Sequence, residues 1–345
     1  MDRRSLIILI AIAAVAVAIS LALVSARDDG GAEASPPTSQ STLESTTDAS
    51  VSTIPQTTVS TTVPETTTTS TPGPTLAPES TACDPYESVE VAGTIASPDL
   101  VEASGMAASR TRPGVLWAHN DSRDGARVYA VGSDGADLGG FDIAGALAFD
   151  WEDMAAGPGS DPSQSMLYFG DIGDNFSIRG GRTTVYRVPE PDPAAIDGSI
   201  TGAVPLEYQY PDGIYNAEAL FVADGSVFII TKDRDEARVY RGDATGDGST
   251  VETMELVTVL SLGAEVSGAD ISWDGSTIAF RGYKTVWMWH RSPGTQVADA
   301  LATEPCTAPS PDEVQGESIA LLADGSYATV SEGSHPELHV VKRDA

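Results

Sequence analysis

Beyond residue 82 the chain alternates short runs rich in Val, Ile, Tyr, Phe and Trp with clusters of Gly, Asp, Ser and Pro. No stretch sustains apolar residues at helical spacing, so the pattern predicts many short strands of an antiparallel all-β protein. Five segments share one shape: VEASGMAAS, DWEDMAAGP, NAEALFVAD, SGADISWDG and QGESIALLAD. Each sets a polar or acidic group before an apolar residue, respectively Met106, Met154, Leu220, Ile271 and Ile319. The successive spacings are 48, 66, 51 and 48 residues. A period of about 50 with several strands per unit predicts a β-propeller, whose small sheets bury both faces against their neighbours.

Four strands fill most units. The fourth unit, for example, is expected at Ala269–Trp273, Thr277–Arg281, Thr285–His290 and Gln296–Ala302. The last unit offers only three, ending with Glu337–Lys342, while Ser88–Ile95 is left over ahead of the first. Pairing the leftover strand with the last unit closes the ring and removes two open edges. The expected fold is therefore a propeller of five four-stranded blades closed by the N-terminal strand. Six blades are the alternative, because the long second unit has room for an irregular blade between Phe176 and Tyr215, and a pair of β-sandwiches is the rival architecture. Closure also brings Cys83, ahead of the closing strand, towards Cys306, expected just before the last innermost strand. Two cysteines in an exported chain predict one disulfide.

The export signal is Leu6–Val24, apolar apart from Ser20 and preceded by Arg3 and Arg4. Its length suits a single membrane crossing with the C-terminal part outside the cell, and Val24-Ser25-Ala26 offers the alternative of a cleaved signal peptide and a secreted product. Residues 1–26 are thus read as anchor or signal. Residues 27–82 are read as a disordered stalk, since Ser, Thr and Pro supply 32 of the 47 residues from Ser35 to Thr81 and leave too little apolar surface to order them. Residues 83–345 are the propeller domain.

Charge narrows the partners. The chain has 50 acidic against 19 Lys and Arg residues, a formal net charge of -31. That balance opposes nucleic-acid phosphates and favours cations or basic partners. In a propeller, the loops leading into each innermost strand and those joining the second and third strands open on the same end. This end gathers Asn120, Asp121, Glu152, Glu218, Asp270, Arg281, Glu317 and Glu332 as candidate ligand-binding residues. Asp171, Asp174 and Asn175, three oxygen donors in a Gly-containing turn, are the candidate ligands of a hard cation such as Ca²⁺. The acids before each innermost strand have an alternative, structural role: holding stranded backbone N–H groups near the channel. The Asp-Gly pairs at 134, 224, 274 and 324 read as hairpin turns on the opposite end. No GxSxG elbow, HExxH or cysteine cluster is present, so no catalytic residue is assigned.

The stretches SGMAASRTRPGVLWAHNDS, DWEDMAAGPG, LYFGDIGDN, VYRVPEP, NAEAL and QGESIA resemble secreted, mostly bacterial propeller proteins of actinobacterial type, distant relatives of phytase-like esterases, SdiA-regulated proteins and calcium-dependent lactonases. The resemblance implies a propeller and a Ca²⁺-assisted site. The lactonase ligand set of one Glu, two Asn and one Asp would fall loosely on Glu152, Asn120, Asn175 and Asp270. Two functional readings follow. One is an anchored extracellular propeller binding a small molecule, glycan or cell-envelope component. The other is a Ca²⁺-dependent hydrolase of a phosphoester, lactone or related ester. A purely structural surface protein is the alternative to both.

Overall fold

The computed structural model describes residues 82–343 except 85, 122, 123 and 197. The apolar segment Leu6–Val24 and the Ser/Thr/Pro-rich stretch lie outside the described residues. Among the described residues no helix is long and apolar enough to cross a membrane.

The chain folds into a five-bladed β-propeller. Strand β1 (Tyr86–Thr94) precedes blade 1, which comprises β2 (Ala103–Ala108), β3 (Val115–Asn120), β4 (Arg127–Gly132) and β5 (Asp137–Ile143). Blade 2 comprises β6 (Trp151–Pro158), β7 (Ser165–Asp171), β8 (Arg182–Pro189) and, after the two-residue β9 (Ser199–Ile200), β10 (Val204–Gln209). Blade 3 has β11 (Ala217–Ala223), β12 (Ser226–Thr231), β13 (Ala237–Asp243) and, after the two-residue β14 (Glu252–Thr253), β15 (Glu255–Leu260). Blade 4 has β16 (Gly268–Ile271), β17 (Thr277–Gly282), β18 (Thr285–His290) and β19 (Cys306–Ala308). Blade 5 has β20 (Gly316–Leu321), β21 (Tyr327–Ser331) and β22 (Glu337–Arg343), and β1 completes it by pairing antiparallel with β22. The innermost strands touch in the order β2, β6, β11, β16, β20 and back to β2, so the ring is closed.

The core is divided as this geometry demands. Side chains alternate across each sheet, so successive residues of one strand serve two different interfaces. In β11, Leu220 and Val222 join Tyr168, Tyr208 and Tyr240 against blade 2, whereas Ala219 and Phe221 join Phe280 and Trp289 against blade 4. Three further apolar clusters fill the remaining interfaces, centred on Trp117 with Trp151, on Met288 with Tyr327, and on Met106 with Leu338.

Three details differ from the sequence expectation. The long second unit forms no sixth blade: its insertion makes a 3₁₀ turn at Pro193–Ala195 and then lends β9 to the outer edge of blade 1, parallel to β5. In the same way β14 is lent to blade 2, parallel to β10. In blade 4 the segment expected as the outer strand is helix α1 (Val297–Leu301). Its buried residues Val297, Ala300 and Leu301 share one helical face and pack into the interface with blade 3, and the outer edge passes to Cys306–Ala308. Consequently the Cys83–Cys306 disulfide, with Cα atoms 5.9 Å apart, staples the approach to the closing strand to the outer strand of blade 4 rather than to a segment leading directly into β20. The Asp-Gly pairs do form turns; Asp224 and Gly225 both take positive φ, 50° and 73°.

Candidate functional site

One end of the ring is assembled by a repeated backbone bond. Asp121 N donates to Glu102 O, Gly173 N to Asp150 O, Lys232 N to Asn216 O, Ser267 N to Arg281 O, and Glu332 N to Gln315 O. In four blades the loop after the second strand is thereby laid against the approach to the innermost strand; in blade 4 the bond is reversed and its acceptor lies in the second strand itself.

A second device aims the acids. In four blades the ladder between the first two strands slips at its start, and in three of them the skipped residue is a glutamate: Glu152, Glu218 and Glu317. A bulge leaves its extra residue unpaired and turns its side chain out of the regular alternation. Blade 4 has no slip, since Gly268 and Ala269 pair regularly with Arg281 and Phe280. Asp270 therefore stands in register with Asp153, immediately before the apolar residue of the repeat, and not with the three glutamates.

Asp153 and Asp270 hold the channel wall together. The fully buried Asp153 carboxylate accepts from Met154 N (2.8 Å), Leu220 N (2.9 Å) and Ala269 N (3.0 Å), linking three blades. Asp270 accepts from Ile271 N (2.8 Å) and Leu321 N (2.7 Å). Burial pushes both carboxyls up, Asp270 to about 7, against the lowering effect of these donors.

Above this layer Asp121, Asp150 and Glu152 converge, with one carboxylate oxygen of each within 4.8 Å of the others. A Cβ on Gly173 would come within 2.2 Å of Glu152 Oε1 and 2.5 Å of Asp150 Oδ2, so a glycine is needed to leave the acids their space. Burial, followed by the charges of Glu218, Asp121 and Asp150, holds the Glu152 carboxyl well above its ordinary range. Such mutual repulsion is relieved by a proton or by a cation, and three hard oxygen donors could chelate a metal ion.

Beside the triad, Glu218 receives Lys232 Nζ at 2.6 Å and Asn216 Nδ2 at 3.1 Å, and the Lys232 ammonium lies 5.6 Å from the Tyr283 ring centre. Burial acts to lower Lys232, but Glu218 and Tyr283 together outweigh it and hold the ammonium above its usual range. Glu317 accepts from Gln315 Nε2 at 2.7 Å. Burial, reinforced by Glu218 and Glu332, pushes its carboxyl up to about 8, although Gln315 and Lys232 oppose the rise. Glu332 is raised by burial and by the field of Asp121 and Glu102.

The remaining sequence candidates lie nearby in other roles. Asn120 Oδ1 accepts from Val101 N and Glu102 N, both at 2.9 Å, while its amide donates to Asp99 O and Asp124 Oδ2, both at 2.8 Å, making it a loop clamp. Asp171 Oδ1 accepts from Asp150 N (3.0 Å) and Arg179 Nη1 (2.8 Å). Asp174 accepts from Ile178 N and Arg179 N, and Asn175 Oδ1 from Asn216 Nδ2. Asp171, Asp174 and Asn175 thus brace the turn around Gly173, with Arg179 shared by the two aspartates. Arg281 is fully buried, paired with Glu313, which also takes Thr329 Oγ1 (3.1 Å) and His339 Nδ1 (2.8 Å); it is an interior ion pair between blades 4 and 5. Asp150, Gly173 and Lys232 complete the acidic end although the candidate set leaves them out; the DWED run carried the signal for Asp150.

A mainly apolar cavity of about 310 Å³ lies at the opposite end, lined by Pro113, Leu116, Trp273, Leu322 and Val340 among others. Its lining is mainly apolar and includes none of the converging carboxylates.

No family model matches the chain, and no curated protein sequence matches it. The particular resemblance to phytase-like esterases, SdiA-regulated proteins and lactonases therefore gains no support. Among solved structures, the chain is similar to the PQQ-bound form of an aldose sugar dehydrogenase from Streptomyces coelicolor, at 15% identity and TM-score 0.42, covering 74% of this chain and 98% of that one. It is also similar to two glucose dehydrogenase structures, each at 10% identity and TM-score 0.44, covering 75% of this chain and 100% of theirs. Likeness at this level transfers no activity; the fold rests on the strand pairing described above.

Proposed function

We propose that this is an exported propeller whose acidic end binds a divalent cation, Ca²⁺ foremost, at Asp121, Asp150 and Glu152, and through it a small molecule, glycan or cell-envelope component. The convergence of three carboxylates around a glycine that a side chain would close carries the reading. Ca²⁺ takes six to eight oxygen ligands, so three carboxylates leave positions for water and for oxygens of a ligand. Lys232 and the protonatable Glu317 stand at the border of the same space and would orient that ligand. Leu6–Val24, retained or cleaved, would deliver the domain outside the cell, with the Ser/Thr/Pro-rich stretch as spacer.

Ca²⁺ bound only by the folded chain raises its thermal midpoint. The purified protein is expected to show such a shift, and Asp150→Asn is expected to remove most of it. An equal shift in both proteins would contradict the assignment.

A second reading, hydrolysis of a phosphoester, lactone or related ester, is favoured by Glu317. A carboxyl raised to about 8 keeps its proton at neutral pH and can donate it to a leaving group. A cation there would polarise the substrate oxygen. A panel of esters and phosphoesters assayed before and after EDTA tests this, and turnover that survives complete metal removal excludes it.

A further inference from the structure

The loops around the acid triad also carry apolar surface. Leu147 and Phe149 precede Asp150, and Phe176 and Ile178 follow Asp174; they are 74%, 59%, 82% and 66% exposed. The two loops are stitched together. Asp150 N donates to Asp171 Oδ1, Gly173 N donates to Asp150 O, and the Arg179 guanidinium lies 5.4 Å from the Phe149 ring centre. Arg179 is itself paired with Asp171 at 2.8 Å, so its charge is already matched. The result is two adjoining loops, held together by hydrogen bonds, that carry four exposed apolar side chains beside carboxylates. Exposed patches of this kind, rimmed by polar groups, mark interaction sites.

Charge selects the occupant. Asp150 adjoins Phe149, Asp121 shares its field, and Glu332 continues the acidic border. A second copy of this chain would bring the same acids face to face, within a net charge of -31. An anionic bilayer surface is repelled in the same way. The chain's own residues from Ser35 to Thr81 contain Glu44, Asp48, Glu65 and Glu79 and no Lys or Arg. None of these complements the patch.

We infer that Leu147, Phe149, Phe176 and Ile178 form a docking surface for a segment of another polypeptide that presents apolar side chains flanked by Lys or Arg. The apolar residues lie on the patch and the basic ones meet its acidic border at Asp150. This inference does not rest on the cation reading: a bound cation would compete with the basic residues for Asp150, so the test is run in EDTA and the two fail separately.

The probe is a dansyl-labelled peptide of alternating Lys and Leu, with Glu–Leu and Lys–Ser peptides as controls, titrated against the full chain. The Lys–Leu peptide is expected to bind most tightly and to weaken as salt rises. Phe149→Ser with Phe176→Ser is expected to weaken it at least about tenfold, since two exposed rings lose their burial on binding. Leu138→Ser, at an exposed apolar position on β5, leaves it unchanged and controls for general stickiness. Equal binding of the three peptides, or no effect of the double substitution, overturns the inference. So does capture of the chain by phosphatidylcholine–phosphatidylglycerol vesicles that depends on the same two phenylalanines, which would make the patch a lipid contact.

Discussion

At the scale of single residues, adjacent acids divide the work. Asp153 points into the wall and closes backbone bonds across three blades, whereas Glu152, one residue earlier and skipped by the ladder, faces the open end. Asp153→Ala strands the N–H groups of Leu220 and Ala269 in a dry environment, at about 1–3 kcal/mol each. A loss of about 3 kcal/mol in a urea unfolding curve is expected, with Asp153→Asn retaining part of it; an unchanged midpoint would mean that the blades do not depend on this group. Glu317 makes stability depend on pH in a defined direction. Its carboxyl rises from an ordinary 4.5 to about 8 on folding, so the folded chain binds the proton more tightly than the unfolded one. Its contribution is complete below about pH 4.5 and is lost as pH climbs towards 8. Asp270, raised to about 7, adds a similar decline ending earlier. Midpoints recorded across this window should fall with pH, and Glu317→Gln should make the fall shallower. A slope identical in the variant would show that Glu317 is not held protonated.

At the scale of elements, the sequence revealed most of the framework, because strand alternation and turn residues are local signals. The five repeats, the leftover first strand and the Asp-Gly hairpins were all legible this way. Helix α1 was not, since Gln296–Ala302 has enough apolar residues for either element and only packing under Trp289 decides. The bulges were hidden for a related reason: a slip in the ladder changes which residue faces the axis without changing composition. This is why Asp270 is grouped with glutamates that occupy another register. Arg281 reads as a ligand-binding residue for a different reason: Glu313, thirty-two residues away, claims it inside. Asp171 was legible as important but acts on Asp150 through a hydrogen bond, a contact that spacing alone does not reveal. The disulfide joins two elements 223 residues apart. Removing it with Cys83→Ser and Cys306→Ser should cost about 2–5 kcal/mol. Hydrogen exchange should then speed up first in β1; protection of β1 equal to that in the parent would argue against a closing role.

At the scale of the whole molecule, closure explains why the acidic end exists. Short sheets around one axis bring the starts of all five innermost strands to a single end, and acids remote in sequence become neighbours there. Concentrating carboxylates in this way is unfavourable unless protons or cations compensate, which is why burial and mutual repulsion raise Glu152, Glu218 and Glu317 together. The measurement that tests the account most directly is a calorimetric titration of the metal-free protein with Ca²⁺. One ion per chain is expected, with binding lost in the Asp150→Asn, Glu152→Gln double variant while the fold persists. Binding of undiminished strength in that variant, or none in the parent, would contradict a cation site at the acidic end.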